Sequence, residues 1–146
     1  MSAVTATDAL AAHFRANVAG VKQAYSTGVT AGSVASPGDV FDTPVVFILL
    51  QGASVEPGSF ERTHWFVSAE AWFDGSIAGA AYGTYVAFVD SVRTSIRSHW
   101  TLGGVITQVS SWSMGQPEDV ELNGKDYVRV PLSFDLLEAG PVAYAA

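Results

Sequence analysis

A chain of 146 residues, 49% apolar and only 14% charged, suits one folded domain, and its net charge of −7 with no visible basic patch argues against a free-standing nucleic-acid binder. It contains no cysteine, which excludes disulfide scaffolds, thiolate catalysis and cysteine-ligated metal sites. The longest apolar stretch, Ile77–Val89, ends at Asp90, short of the roughly 18 residues a spanning helix needs, and residues 1–15 lack the basic start and apolar run of a signal peptide. The chain is therefore expected inside a cell or in a particle assembled there. The charged share is well below the roughly 25% of ordinary domains. A surface so rich in Ser, Thr, Gly, Ala and apolar groups suits a subunit covered by its neighbours, or a genome that favours Ala, Gly and Val.

The spacing predicts a first helix over residues 5–25. Leu10, Phe14, Val18, Val21 and Tyr25 form one apolar stripe. Thr5 or Thr7 is placed to cap it, and Asp8 to meet the positive end of its dipole. Ser26–Thr43, rich in Gly, Ser and Pro, is expected to be a long loop. Pro44–Leu50 reads as a strand, its apolar run suiting cover on both faces. Gln51–Glu61, with Gly52, Pro57 and Gly58, is expected to be a turn or loop. Arg62–Phe73 alternates: Thr63, Trp65, Val67, Ala69, Ala71 and Phe73 face one way, and His64, Phe66, Ser68, Glu70 and Trp72 the other. It is long for a strand, whose usual length is about five or six residues. Trp65 and Trp72 fall on opposite faces, so one of them must meet a helix, another element or another subunit.

Ser76–His99 predicts the second helix, with Ser76 as its cap and Ala78, Tyr82, Tyr85, Val89, Val92 and Ile96 as its stripe. Gly75, Gly79 and Gly83 are expected to let it lie close to the sheet. Leu102-Gly103-Gly104 stops it. Val105–Ser113 follows as a strand. Asn123-Gly124 is a tight-turn signal that folds Asp119–Leu122 against Lys125–Leu136. Pro131 lacks an N–H and demotes part of that last strand to an edge or bulge. The expected fold is α+β: a single mixed, mainly antiparallel sheet of four or more strands packed against two helices, in the order α-β-β-α-β-β. It is one domain over residues 1–146, with a long loop at 26–43 and a loose carboxy-terminal tail at 139–146.

The chemistry-bearing residues are sparse. His13, His64 and His99 have no metal-motif spacing. His13 is expected near the surface, His64 on a strand face and His99 at a helix end. Gly-x-Ser-x-Gly and phosphate-cradling glycine loops are absent. Glu118, Asp119, Glu121 and Asp126 crowd one hairpin without the spacing of a calcium loop, and suit a solvated acidic surface. No catalytic, cofactor-binding or metal residue is assigned, and no cofactor is expected.

The amino-terminal helix, the long loop, the apolar strand Pro44–Leu50, the charged lead-in Glu61-Arg62-Thr63 to a long alternating strand, the central helix and the closing run Leu122-Asn123-Gly124-Lys125-Asp126-Tyr127-Val128-Arg129-Val130 resemble the tail terminator proteins of long-tailed bacteriophages. The resemblance is one of pattern over most of the chain, with a longer loop at Ser26–Thr43 than the compact form has. It implies a structural virion protein rather than an enzyme. Such a protein forms a ring, usually a hexamer, on the head-proximal end of the tail tube. It ends tube polymerisation and presents a surface to the head-completion, or stopper, protein. DNA passes through without specific binding, which an acidic lumen favours; no membrane is involved. The resemblance also implies a place in the virion tail or neck, after assembly in the host cytoplasm. Ring and tube contacts are then expected from Ser26–Thr43, Gln51–Phe60 and the hairpin around Met114–Gly124, with Phe41, Val55, Phe60, Trp65, Met114 and Gln116 as candidate interface residues. Two other readings are another neck or minor tail protein, and a small-ligand-binding α+β domain or enzyme with an enclosed pocket lined by Trp72, Tyr82 or Tyr85.

Overall fold

The structure is a computed structural model that describes residues 3–26, 44–79, 81–122 and 124–141. Its elements are α1 (Ala3–Asn17), β1 (Gln23–Tyr25), β2 (Val45–Glu56), β3 (Phe60–Asp74), α2 (Ala81–Ser98), β4 (Gln108–Met114), β5 (Glu118–Leu122) and β6 (Lys125–Pro141). They build one six-stranded sheet in the order β1-β2-β3-β6-β4, with β5 also paired to β6. Only β1–β2 is parallel. The α+β class, with a mixed and mainly antiparallel sheet and two helices, is thus the architecture observed. Residues 27–43, the bulk of the expected long loop, lie outside the described residues.

Helix α1 is shorter than its apolar stripe. It ends at Asn17, and Gly20 turns the chain with φ +82°. Lys22 N–H then bonds the Pro44 carbonyl at 2.9 Å, and Gln23–Tyr25 pairs with Val45–Phe47. Val21 and Ala24 stay buried, and a parallel ladder to β2 bonds one side of the Gln23–Tyr25 backbone. Arg15 ties the two segments by donating to the Ala24 carbonyl at 2.7 Å. Thr5 and Thr7 lie inside the helix rather than at its cap, and Thr7 Oγ1 donates back to the Val4 carbonyl.

The β2–β3 hairpin is longer than predicted. Gln51–Glu56 continues β2, and Phe60 already begins β3. The register shifts between Leu50 and Gly52, so Gln51 is the extra residue of a bulge and the ladder resumes at Gly52 opposite Phe66. The glycine that suggested a turn instead accommodates the bulge. Pro57–Ser59 alone turns the chain.

Pro131 does not push β6 to an edge. β6 is 17 residues long and pairs with β3 along Phe60–Asp74. Its other flank carries β4 beside Leu132–Leu137 and β5 beside Lys125–Arg129. Gly115 N–H bonds the Pro131 carbonyl at 2.8 Å, so the missing proline N–H faces the break between β4 and β5. The interruption is passed to the neighbouring strand. A Cβ on Gly115 would lie 2.7 Å from Pro131 Cγ, so glycine is required where the two chains cross. Ala139–Pro141 belongs to β6, where a loose tail was expected; residues 142–146 are outside the described set.

Both helices cover one face of the sheet. The core there gathers Phe14, Val46, Ile48, Val67, Phe73, Phe88, Val92, Val128 and Leu136. Phe88 lies 5.1 Å from Phe73 and stacks on Phe14 at 6.2 Å, ring centre to ring centre. Each such side chain contributes roughly 1.5–3 kcal/mol by leaving water. The buried side of α2 is Ala81, Phe88, Val92, Ser95 and Ile96, with Tyr85 packed at its margin. The period matches the prediction, but the phase is turned: Tyr82 is exposed and Phe88 takes the core. Gly83 faces away from the sheet with nothing near it, so the glycine spacing does not serve close helix–sheet packing. After α2, Leu102 is held in the left-handed region at φ 50° with its side chain buried, at a backbone cost of about 1–2 kcal/mol.

Candidate functional site

The predicted alternation of β3 is observed. Thr63, Val67, Ala69, Ala71 and Phe73 are buried on the helix-covered face, where Trp65 packs against the core. Trp72 enters a second, smaller cluster on the other face with Val45, Phe47 and Tyr127, joined by Tyr25, Val120 and Leu122. Trp72 meets Tyr127 edge to face at 5.7 Å, and Tyr25 stacks on Phe47 at 5.6 Å. Burial pushes the Tyr127 phenol above its ordinary value, against the opposing charge of Lys125 and with that of Asp74. Charges rim this cluster: Arg129 bridges Glu118 and Glu70, and Lys125 Nζ lies 3.1 Å from Asp74.

Further along the same face the side chains become small and polar. Ser68 of β3 opposes Ser133 of β6, which opposes Ser113 of β4. In the next row Phe66 opposes Asp135, which opposes Ser111. These residues and Gln51 line a shallow depression of about 370 Å³. Gln51 Nε2 donates to Ser68 Oγ at 2.8 Å, closing one rim. His64 Nδ1 lies 2.7 Å from Asp135 Oδ1, and its ring stacks on Phe66 at 6.3 Å. Among the described residues His64 has no other hydrogen-bond partner, so no hydroxyl is bonded to its ring. Serines floor the depression, with Phe66 in its lining and Leu49 beside Ser68.

The candidate interface residues do not form one patch. Val55 and Phe60 are 51% and 58% exposed on the β2–β3 hairpin. Trp65 packs against the core, and its Nε1–H is buried without a partner among the described residues. Met114 also packs against the core, from β4, since alternation along that strand turns Trp112 and Met114 to the helix side. Gln116 is exposed in the link between β4 and β5. Phe41 lies outside the described residues.

Trp72, Tyr82 and Tyr85 line no common pocket: Trp72 is on the face opposite the helices, Tyr82 faces outward from α2, and Tyr85 packs on Phe73. In the acidic hairpin Glu118 is engaged by Arg129, and Asp119 Oδ1 accepts the Ile77 N–H at 3.0 Å, helping to fix the approach to α2. Among the described residues no three His, Asp or Glu side chains gather as a metal site. His13, expected near the surface, is buried between the helices. It bonds Ser95 Oγ through Nε2 at 3.0 Å, and Ser95 donates to the Val92 carbonyl at 3.1 Å. Burial, and then the nearby His99, lower its pKa from 6.5 to about 4.

The serine floor was not singled out by sequence. Its signal was present in the alternation of Ser111 and Ser113 and in the single serines, Ser68 and Ser133, of two long strands. The fold and this face define an α+β domain with helices on one side and a largely polar, partly apolar sheet surface on the other. Compared with protein-family models and with curated proteins, the chain matches none.

Proposed function

We propose that this chain is a structural subunit of a long-tailed bacteriophage, a terminator that forms a ring on the head-proximal end of the tail tube, ends its polymerisation and joins it to the head-completion protein. The observation that carries the reading is the β2–β3 hairpin and the face beside it, which leave apolar side chains in water. Leu49, Val55, Phe60 and Phe66 are 48%, 51%, 58% and 40% exposed. Leu49, Phe60 and Phe66 share the open face and Val55 lies on the other, and exposed apolar groups rimmed by polar ones mark protein interaction surfaces. The element order supports the same reading, as does an acidic chain suited to a DNA channel that must release its cargo.

The test is assembly. The purified protein is weighed by native mass spectrometry and then added to growing tail tubes, with a label to locate it by electron microscopy. A hexameric ring that binds one tube end and stops elongation is expected. A monomer at all concentrations that leaves tube growth unchanged refutes the reading, and a label along the tail or at its distal tip assigns another virion role.

A further inference from the structure

We infer that copies of this chain join edge to edge, with β4 of one copy pairing antiparallel to β2 of the next. The inference deepens the proposed self-assembly by naming its joint, and it rests on sheet geometry that is independent of the phage setting.

Both outer strands are bare over part of their length. β1 covers only Val45–Phe47 of β2, so among the described residues no strand pairs with the outer side of Ile48–Glu56. At the other edge, Val109 N–H is taken by the Trp100 carbonyl at 2.7 Å, and Ser110–Met114 has no outer partner strand among the described residues. Proteins usually guard such edges with charge or proline. Neither Ile48–Val55 nor Gln108–Met114 contains a charged residue or a proline.

The two edges also lie at the same height. Met114 opposes Leu132, Leu132 opposes Ala69, and Ala69 opposes Ile48. Gln108 likewise reaches Ser54 through Leu137 and His64. A second copy set beside the first, at the same level, therefore brings its Ile48–Gly52 alongside the free Ser111–Met114. The directions agree: β2 and β6 run one way and β3 and β4 the other, so the new neighbours are antiparallel. The faces agree too. Trp112 meets the level of Leu50, both packed against the helix-side core, while Ser113 meets Leu49 and Ser111 meets Gly52 on the open face. A one-residue slip would reverse every side chain, so this agreement is a specific property of the two edges. A twofold β4–β4 joint would leave the apolar β2 edge bare, whereas the β4–β2 joint covers both. It is head to tail, and such joints close into rings or extend as filaments.

The chain has no cysteine, so engineered thiols report without background. In the full-length protein, Ser113→Cys and Leu49→Cys lie on opposite sheet edges. Three strand steps of about 4.8 Å separate them, beyond the reach of about 7 Å for a disulfide within one copy. On mild oxidation the double variant is expected to give a ladder of covalent multimers beyond the dimer, and each single variant none. The pair Ser111→Cys with Gly52→Cys is a second probe of the same joint, and nothing lies within 4 Å of a Cβ on Gly52. Dimers from Ser113→Cys alone would show a twofold joint and overturn the inference. Assembled rings that neither pair cross-links overturn it and leave the terminator reading standing. Cross-linked rings that ignore tube ends remove the terminator reading and leave the joint.

Discussion

Lowering the pH should weaken this protein through one buried histidine. In the folded chain His13 is neutral: Nε2 donates to Ser95 Oγ, and Nδ1 accepts from Asn17 Nδ2 at 3.4 Å. Its pKa falls from 6.5 to about 4, chiefly by burial and then through His99. Between those values the unfolded chain binds a proton that the folded chain refuses. Stability is therefore full above pH 6.5 and declines as pH falls toward 4. At about 1.4 kcal/mol per pH unit, the loss across the window is about 3 kcal/mol. For a domain of this size that is roughly 6–12 °C in melting temperature. His13→Gln keeps a donor for Ser95 and cannot titrate, so it should start slightly less stable and lose about 3 kcal/mol less on acidification. Urea unfolding at pH 7 and near pH 4 measures both slopes. Every other side chain is common to both proteins and cancels in the comparison. Parallel slopes would refute the reasoning.

Gly115→Ala places a Cβ against Pro131 Cγ and should cost about 1–3 kcal/mol, most of it recovered in the double variant with Pro131→Ala; chemical denaturation of the four proteins gives the coupling. Trp65→Phe removes the buried Nε1–H, unpartnered among the described residues, and should change stability by less than about 1 kcal/mol, despite the large side chain involved, as a thermal melt will show. Val55→Asp with Phe60→Asp alters exposed positions, so unfolding free energy should stay within about 0.5 kcal/mol per site while sedimentation shows loss of the assembled form.

The parts of the fold legible from sequence were those where one face is dry and the other wet. β3 alternates over its whole length, and the prediction of which residues share a face was met residue by residue. The phase of α2 was harder, because Tyr82, Val86 and Val89 make its outer side apolar as well. Only the three-way packing of Phe88 with Phe14 and Phe73 decides between two equally periodic stripes. β1 was illegible for another reason. Three residues ending an apolar stripe look helical until β2 is there to bond them. Gly52 and Pro131 misled in the same way: each breaks local rules, and each is absorbed by a partner strand far along the chain. The candidate site shared this limit, since Ser68, Ser111, Ser113 and Ser133 become a floor only once β3, β6 and β4 are neighbours.

The position of β6 bears on how the molecule comes to exist. β3 is flanked by β2, its immediate predecessor, and by β6, which is made after every other described element. During synthesis β3 and its tryptophans wait with one flank unpaired, while α1 and α2 have no complete sheet to lie on. Long-range pairing of this kind is slow and leaves apolar strand edges open to other chains. Folding should thus be a late, concerted event set by the emergence of Lys125–Pro141. Chains stalled before that segment should depend on chaperones and be lost to proteolysis, whereas the finished chain should not.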